Sequence, residues 1–153
     1  MSWLSDKEIR EKVKRNGNEC IWKAFYGVYP IDKLPSFIPH LPIFMVVNTH
    51  THNLKGQHWK AIFIDKNRRG EVFDSLAQPM SDFLKRFMNR FSRKWKTNRK
   101  VYQHAKSTTC GAFALYYILK RMDYPSLDAF TQTFSRSLIV NERLMRAFYR
   151  TLK

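Results

Sequence analysis

The apolar positions of this chain repeat with two different periods, and the change of period divides it. From Met80 onward, Met80, Phe83, Leu84, Phe87, Met88, Phe91 and Trp95 recur at the intervals of one helix face, which predicts a helix reaching Trp95 with a basic opposite face. Earlier apolar runs are shorter. Residues 43–48, 58–65 and 71–75 are rich in β-branched and aromatic side chains, and the turn-like Lys66-Asn-Arg-Arg-Gly70 joins the last two. They predict a small, mostly antiparallel sheet. Pro30, Pro35, Pro39 and Pro42 make residues 25–42 irregular and extended. Ser5-Asp-Lys-Glu8 has the form of a capping box opening a helix that ends at Asn16-Gly17. Residues 110–122 are apolar nearly all round, as in a buried central helix. Residues 100–102 read as a short strand, and Ser126 and Asn141 as N-caps of two terminal helices. The expected architecture is α+β: a small mixed or antiparallel sheet packed against a central helix with flanking helices, in one domain over residues 1–153.

Composition narrows the class. With 153 residues and 44% apolar content, the chain is long enough for its own core and too apolar for a disordered tail. Two cysteines build no disulfide scaffold, which points to a reducing, intracellular compartment. The longest apolar run, residues 112–119, is far shorter than the roughly 20 residues that span a bilayer, and the first residues lack a secretory signal. A soluble monomer without a membrane partner is expected. Charge is the unusual quantity: 28 Lys and Arg against 12 acids give +16. Such an excess implies an anionic partner, most often nucleic acid.

The candidate chemistry centres on Cys110. It precedes Gly111 and the apolar helix, so it belongs at that helix's N-terminus, where the dipole and free N–H groups are expected to lower a thiol's pKa. Gly111 is expected to let a substrate backbone approach. Taken alone, Cys110 reads better as a small buried hydrophobe, as most free cysteines are. Three other residues change that balance, because a thiol nucleophile needs an imidazole base, a group orienting it and donors for an oxyanion. His58 opens one strand and Asp74 ends the next, so a hairpin brings them together. Gln103 precedes Cys110 by a stretch long enough to loop back and aim its amide at the same place as the Cys110 N–H.

The combination resembles the adenovirus-type cysteine endopeptidases (the adenain family), which share a clan with the SUMO-specific and other ubiquitin-like-protein proteases. The resemblance rests on Gly56-Gln57-His58-Trp59, on Phe73-Asp74-Ser75-Leu76 and on Gln103-x₆-Cys110-Gly111. It extends to Phe25-Tyr-Gly-Val-Tyr-Pro30 and Val47-Asn48-Thr49, covering roughly residues 20–120. The order His, acid, Gln, Cys is the reverse of the papain order. The resemblance implies that Cys110 is the nucleophile, His58 the general base and acid, and Asp74 the group orienting His58. Gln103 with the Cys110 N–H would form the oxyanion hole, and Trp59 would shield the imidazole. No cofactor is needed for that chemistry, and the implied substrates are polypeptides with small residues, typically glycine, at the cut. Two readings follow within the clan: maturation of viral precursor proteins in the virion and host nucleus, or processing of ubiquitin-like tails. Asp74 is the choice of the SUMO-type branch, where adenoviral enzymes usually have Glu. Ser92 stands near the position at which those enzymes carry the cysteine that binds an activating peptide, so that route is not expected here. The short basic chain is similar to proteases of smaller DNA viruses or Polinton-like elements.

The remaining residues have plainer readings. His50, His52 and His58 with a cysteine suggest a metal site, yet no closing ligand pair exists and none is expected. His104 is a weaker rival base. Lys85, Arg86, Arg90, Arg93, Lys94 and Lys96 form an unmixed basic stretch. Because the adenoviral relatives use DNA as a cofactor, the resemblance makes this a sequence-independent contact with double-stranded DNA, which Arg136, Arg143, Arg146 and Arg150 would extend. The reading from another class is a basic nucleic-acid-binding protein in which Cys110 and His58 are structural.

Overall fold

The computed structural model describes residues 1–50 and 58–153, and His52 and Gly56-Gln57 lie outside them. Helix α1 (Asp6–Asn16) opens with the capping box foreseen in the sequence: the Ser5 hydroxyl accepts from the Glu8 N–H, and the Glu8 carboxylate accepts from the Ser5 N–H. A short α2 (Glu19–Ala24) leads into β1 (Phe25–Pro30). The sequence predicted only irregular chain there. β1 forms at one edge of the sheet and Pro30 is its last residue, a place where a missing N–H is tolerated. The prolines govern the stretch after it, which is irregular up to β2 (Ile43–Asn48).

β3 (Trp59–Ile64) and β4 (Arg69–Phe73) form the expected hairpin, and β5 (Lys94–Thr97) closes the sheet. The strand order is β1-β2-β3-β4-β5, antiparallel in the middle and parallel at both edge pairs. Helix α3 (Asp82–Phe91), capped by Ser81, ends at Ser92. Trp95 is therefore not on the helix; it sits on β5 opposite Gly70, where it packs against the same apolar cluster as α3. Residues 100–102 form no strand. Helix α4 (Cys110–Lys120) is the buried central helix, followed by a 3₁₀ turn (Arg121–Asp123), α5 (Leu127–Thr131) and α6 (Leu138–Thr151). Ser126 caps α5 as predicted, but Ser137 caps α6; Asn141 lies one turn inside α6 and is fully buried.

Alternation along the strands feeds two cores. One face, with Phe44, Val46, Ala61 and Phe73, packs on α1, α4 and α6. The other, with Ile43, Met45, Ile62 and Val72, packs on Leu84, Phe87 and Met88 of α3. The architecture is the expected α+β, a five-stranded mixed sheet between helical layers. Among the described residues no helix is long and apolar enough to cross a membrane.

Three layers also redistribute the basic stretch. Lys85, Arg86 and Arg90 are on α3. Lys94 and Lys96 are on β5, where register pairs Lys96 with Glu71 on the opposite face of the sheet, and Lys96 pairs with Asp128 of α5 at 3.8 Å. Arg143, Arg146 and Arg150 belong to α6, in the layer across the sheet from α3. A single continuous basic helix face does not exist, because the chain turns at Ser92.

Candidate active site

The hairpin sets the first pair. Continuing the β3–β4 register one step past Ala61↔Phe73 puts Asp74 across from Lys60, with His58 two residues away on the same side of its strand. Nε2 of His58 lies 2.5 Å from Oδ1 of Asp74, and Nζ of Lys60 lies 3.2 Å from Oδ2. The backbone N–H groups of Leu76 and Gln78, in the turn that follows, donate to Oδ1 and Oδ2 at 2.9 Å each. Burial by itself would raise the Asp74 pKa. The His58 hydrogen bond and charge, the Lys60 ammonium and the Leu76 N–H outweigh it, so the carboxyl is held below its ordinary value. An ionised carboxylate only accepts, so the proton of this bond is on Nε2, and in the neutral imidazole the lone pair is on Nδ1. Nδ1 is buried and has no hydrogen-bond partner among the described residues.

Cys110 is the first residue of α4, as the sequence predicts, but its thiol has no exposed surface. Burial pushes it up to about 11, against the N–H groups of Trp59, Gly111 and Cys110 itself, which lower it; the charge of Asp74 adds to the rise. The expectation of a lowered thiol pKa is therefore corrected: the helix N-terminus acts in the foreseen direction, and desolvation is larger. The Trp59 N–H on the thiol also locates it, since Trp59 directly follows His58.

Gln103 is buried and held at both ends. Its Oε1 accepts from the Ser75 hydroxyl at 2.5 Å, and its Nε2 donates to the carbonyl and hydroxyl oxygens of Ser107 at 3.2 Å each. The Ser75 carbonyl accepts from the N–H groups of Tyr102 and Gln103, tying this loop to the residue after Asp74. His58, Asp74 and Gln103 thus stand at one end of the sheet on His58–Asp74 and Ser75–Gln103 bonds, and the Cys110 thiol meets the N–H of Trp59, the residue after His58. His104, the rival base, turns its Nδ1 to the Lys106 N–H instead. His50 uses its N–H on Asn48, and no group of His, Cys, Asp and Glu among the described residues converges on a metal position.

Several participants were not foreseen. Asn98 brackets Asp74, accepting from its N–H at 2.8 Å and donating to its carbonyl at 2.7 Å. Lys60 supplies a second cation to Asp74; its place two residues from His58 on a strand was the available signal. The chain before α1 walls the nucleophile: the Trp59 indole donates to the Leu4 carbonyl at 3.0 Å, and the Thr108 hydroxyl donates to the Met1 carbonyl. A Cβ at Gly111 would lie 2.8 Å from Leu4, so this glycine makes room for the protein's own Leu4, not for a substrate backbone. Ser92 is buried with its hydroxyl on the Met88 carbonyl, and the other thiol, Cys20, is exposed on α2.

The fold has counterparts among known proteins. The fold is similar to that of the ASFV pS273R protease (20% identity, TM-score 0.61), covering 88% of this chain and 63% of that one. It is also similar to the SUMO protease Ulp1 with its catalytic cysteine oxidised to a sulfinic acid (17%, TM-score 0.54, 95% and 76% covered). The central domain of the uncharacterized Lpg1148 protein from Legionella pneumophila matches over 98% of this chain and 99% of its own (14%, TM-score 0.51). This chain spans under two thirds of the ASFV protease. No curated protein sequence matches it. The model of the Ulp1 protease family, C-terminal catalytic domain, matches residues 42–146, well over half of the chain. The chain belongs to the Ulp1 protease family.

Proposed function

We propose that the chain is a cysteine peptidase, with Cys110 its nucleophile, His58 its base and acid, and Asp74 the group that orients His58. The observation that carries the reading is the 2.5 Å His58–Asp74 bond, which leaves a lone pair on a buried Nδ1 beside the residue whose N–H meets the Cys110 thiol. At neutral pH the thiol holds its proton, so attack requires its transfer to Nδ1 as the sulfur–carbon bond forms. The carbonyl oxygen becomes an oxyanion, stabilised by the Cys110 N–H and by a Gln103 N–H. Collapse breaks the carbon–nitrogen bond, and the imidazolium protonates the leaving amine. Water, deprotonated by His58, then hydrolyses the thioester. Asp74 stays ionised throughout and stabilises the imidazolium.

Substrate choice follows from burial. A thiol with no exposed surface is reached only where the chain brings little side chain, which favours glycine at the cut. The family match and Asp74 support a ubiquitin-like tail; the likeness to the ASFV protease supports a precursor protein of the same small-residue kind. The test offers both a ubiquitin-like C-terminal amide and a glycine-containing precursor peptide to wild type, Cys110→Ala and Cys20→Ala. Turnover of at least one, lost only in Cys110→Ala, is expected. Equal activity of wild type and Cys110→Ala contradicts the assignment.

DNA contact, if it accompanies proteolysis, rests on Lys85, Arg86, Arg90 and Arg93 at the α3 side. Lys94 and Lys96 face the other way, and Lys96 already has Asp128. Binding to duplex DNA should fall steeply with salt and be indifferent to sequence. A flat salt response, or no loss on neutralising the α3 cations, removes DNA from the account.

A further inference from the structure

Helix α6 holds one side of the loop from Gln103 to Cys110. On α6, Asn141 donates from Nδ2 to the Tyr102 carbonyl at 3.2 Å. Its neighbour Glu142, the one acid in that helix and nearly buried, accepts from the His104 N–H through Oε1 at 3.1 Å and from the Thr109 hydroxyl through Oε2 at 2.6 Å. The Thr109 proton being committed to Glu142, the 2.7 Å contact between Ser107 and Thr109 runs from the Ser107 hydroxyl to Thr109 Oγ1. The Ser107 oxygen then accepts from Gln103 Nε2 at 3.2 Å and from the Thr109 N–H at 3.3 Å. A directed chain results: Gln103 N–H to Ser107, Ser107 O–H to Thr109, Thr109 O–H to Glu142. At its far end the Ser75 hydroxyl donates to Gln103 Oε1.

We propose that Glu142 is a positioning residue for the peptidase reaction, fixing through Thr109 and Ser107 which way the Gln103 amide faces. A carboxylate has only acceptors, so it sets the polarity of every bond in the chain. Among the side chains of the network nothing else does so, because each hydroxyl donates or accepts as its neighbour requires; the Ser107 carbonyl, which also accepts from Gln103 Nε2 at 3.2 Å, supports the same amide orientation from the backbone. With the amide oxygen turned to Ser75 and one N–H shared between the carbonyl and hydroxyl oxygens of Ser107, the second N–H remains for the oxyanion. Reversing the chain would offer the developing negative charge a carbonyl oxygen instead.

Glu142→Gln tests this without changing size. The His104 N–H is fixed backbone and keeps the Gln oxygen, so the new NH₂ meets Thr109 and drives its proton onto Ser107. Ser107 then points a donor at the Gln103 NH₂. The expected result is a fall in kcat of about tenfold to a hundredfold, a fraction of what losing an oxyanion donor removes, with KM little changed. Thr109→Val should reproduce it and Thr109→Ser should retain activity. The decisive readout is a double-mutant cycle: in a Gln103→Ala background Glu142→Gln should change kcat by less than about twofold, since its effect passes through Gln103. Wild-type kcat in Glu142→Gln, a loss confined to KM, or equal losses with and without Gln103 each overturn the proposal. Because it rests on the peptidase reading, the wild type serves as the separate check. Absence of Cys110-dependent turnover there overturns both, whereas turnover with an inert Glu142→Gln overturns this proposal alone.

Discussion

Two buried carboxylates stand three residues apart on one strand and its end, Glu71 and Asp74, and their networks finish differently. Glu71 takes a bidentate contact from Arg121, at 2.6 and 2.8 Å, and the Tyr117 hydroxyl at 2.5 Å. Each nitrogen of Arg121 has a partner, with Nη1 donating to the Tyr124 carbonyl at 2.8 Å, and burial with the Glu71 charge pushes the Tyr117 phenol well above its ordinary value. Asp74 is saturated as well, by His58, Lys60 and two backbone N–H groups, but its network continues to an Nδ1 with no described partner. A closed network locks strand to helix. An open one leaves a group able to accept a proton, and the proposed donor is the Cys110 thiol, which meets the N–H of Trp59, the residue after His58.

The contrast breaks most sharply by substitution. Asp74→Asn should lower kcat by about four orders of magnitude, because the amide holds the wrong imidazole tautomer. It should also weaken the fold, because buried Lys60 loses its counter-charge. Adding Lys60→Met should restore the melting temperature but not the activity. Recovery of both would make Asp74 a purely structural acid like Glu71.

Glu71→Gln gives the opposite signature. Stripping Arg121 of its carboxylate should cost about 3–5 kcal/mol in denaturant unfolding. Turnover per folded molecule should stay within a few fold of wild type. A selective loss of kcat with stability intact would erase the distinction.

Lys60→Met alone has the smallest effect and a defined sign. Lys60 helps hold Asp74 below its ordinary value, so removing it raises that pKa and moves the acidic limb of the rate profile to higher pH. The linked stability has the same sense. A depressed Asp74 stabilises the fold above its unfolded pKa of about 3.9, and that contribution is lost as pH falls through the folded value. In Lys60→Met the acid unfolding midpoint should rise. A shift to lower pH in either profile contradicts the role given to Lys60.

The same contrast explains what was legible in the sequence. His58, Asp74 and Cys110 could be named because each comes with a local element, a strand start, a strand end or a helix start, that fixes its place, and Gln103 because its spacing from Cys110 lets the loop turn back. Lys60, Asn98 and Glu142 could not, since their roles arise from partners far along the chain. Glu142 looked like one acid among α6 arginines, and Asn141 like a cap because its residue type is a capping one. Periodicity placed Trp95 on a helix because a strand residue opposite Gly70 fills the same apolar face. The proline count hid β1, whose Phe25–Pro30 residues form an edge strand before the irregular stretch begins. The thiol's pKa was misjudged since helix dipoles are readable in sequence and desolvation is not.

The central claim is that the Cys110 sulfur becomes a nucleophile only through His58. It is tested most directly with a peptide ending in a glycine-derived electrophile, followed by intact-mass and peptide mapping at neutral pH. One adduct at Cys110, none at the exposed Cys20, and loss of the adduct in His58→Ala is the predicted result. Modification of Cys20 in preference to Cys110, or labelling of Cys110 at the same rate without His58, would contradict the account.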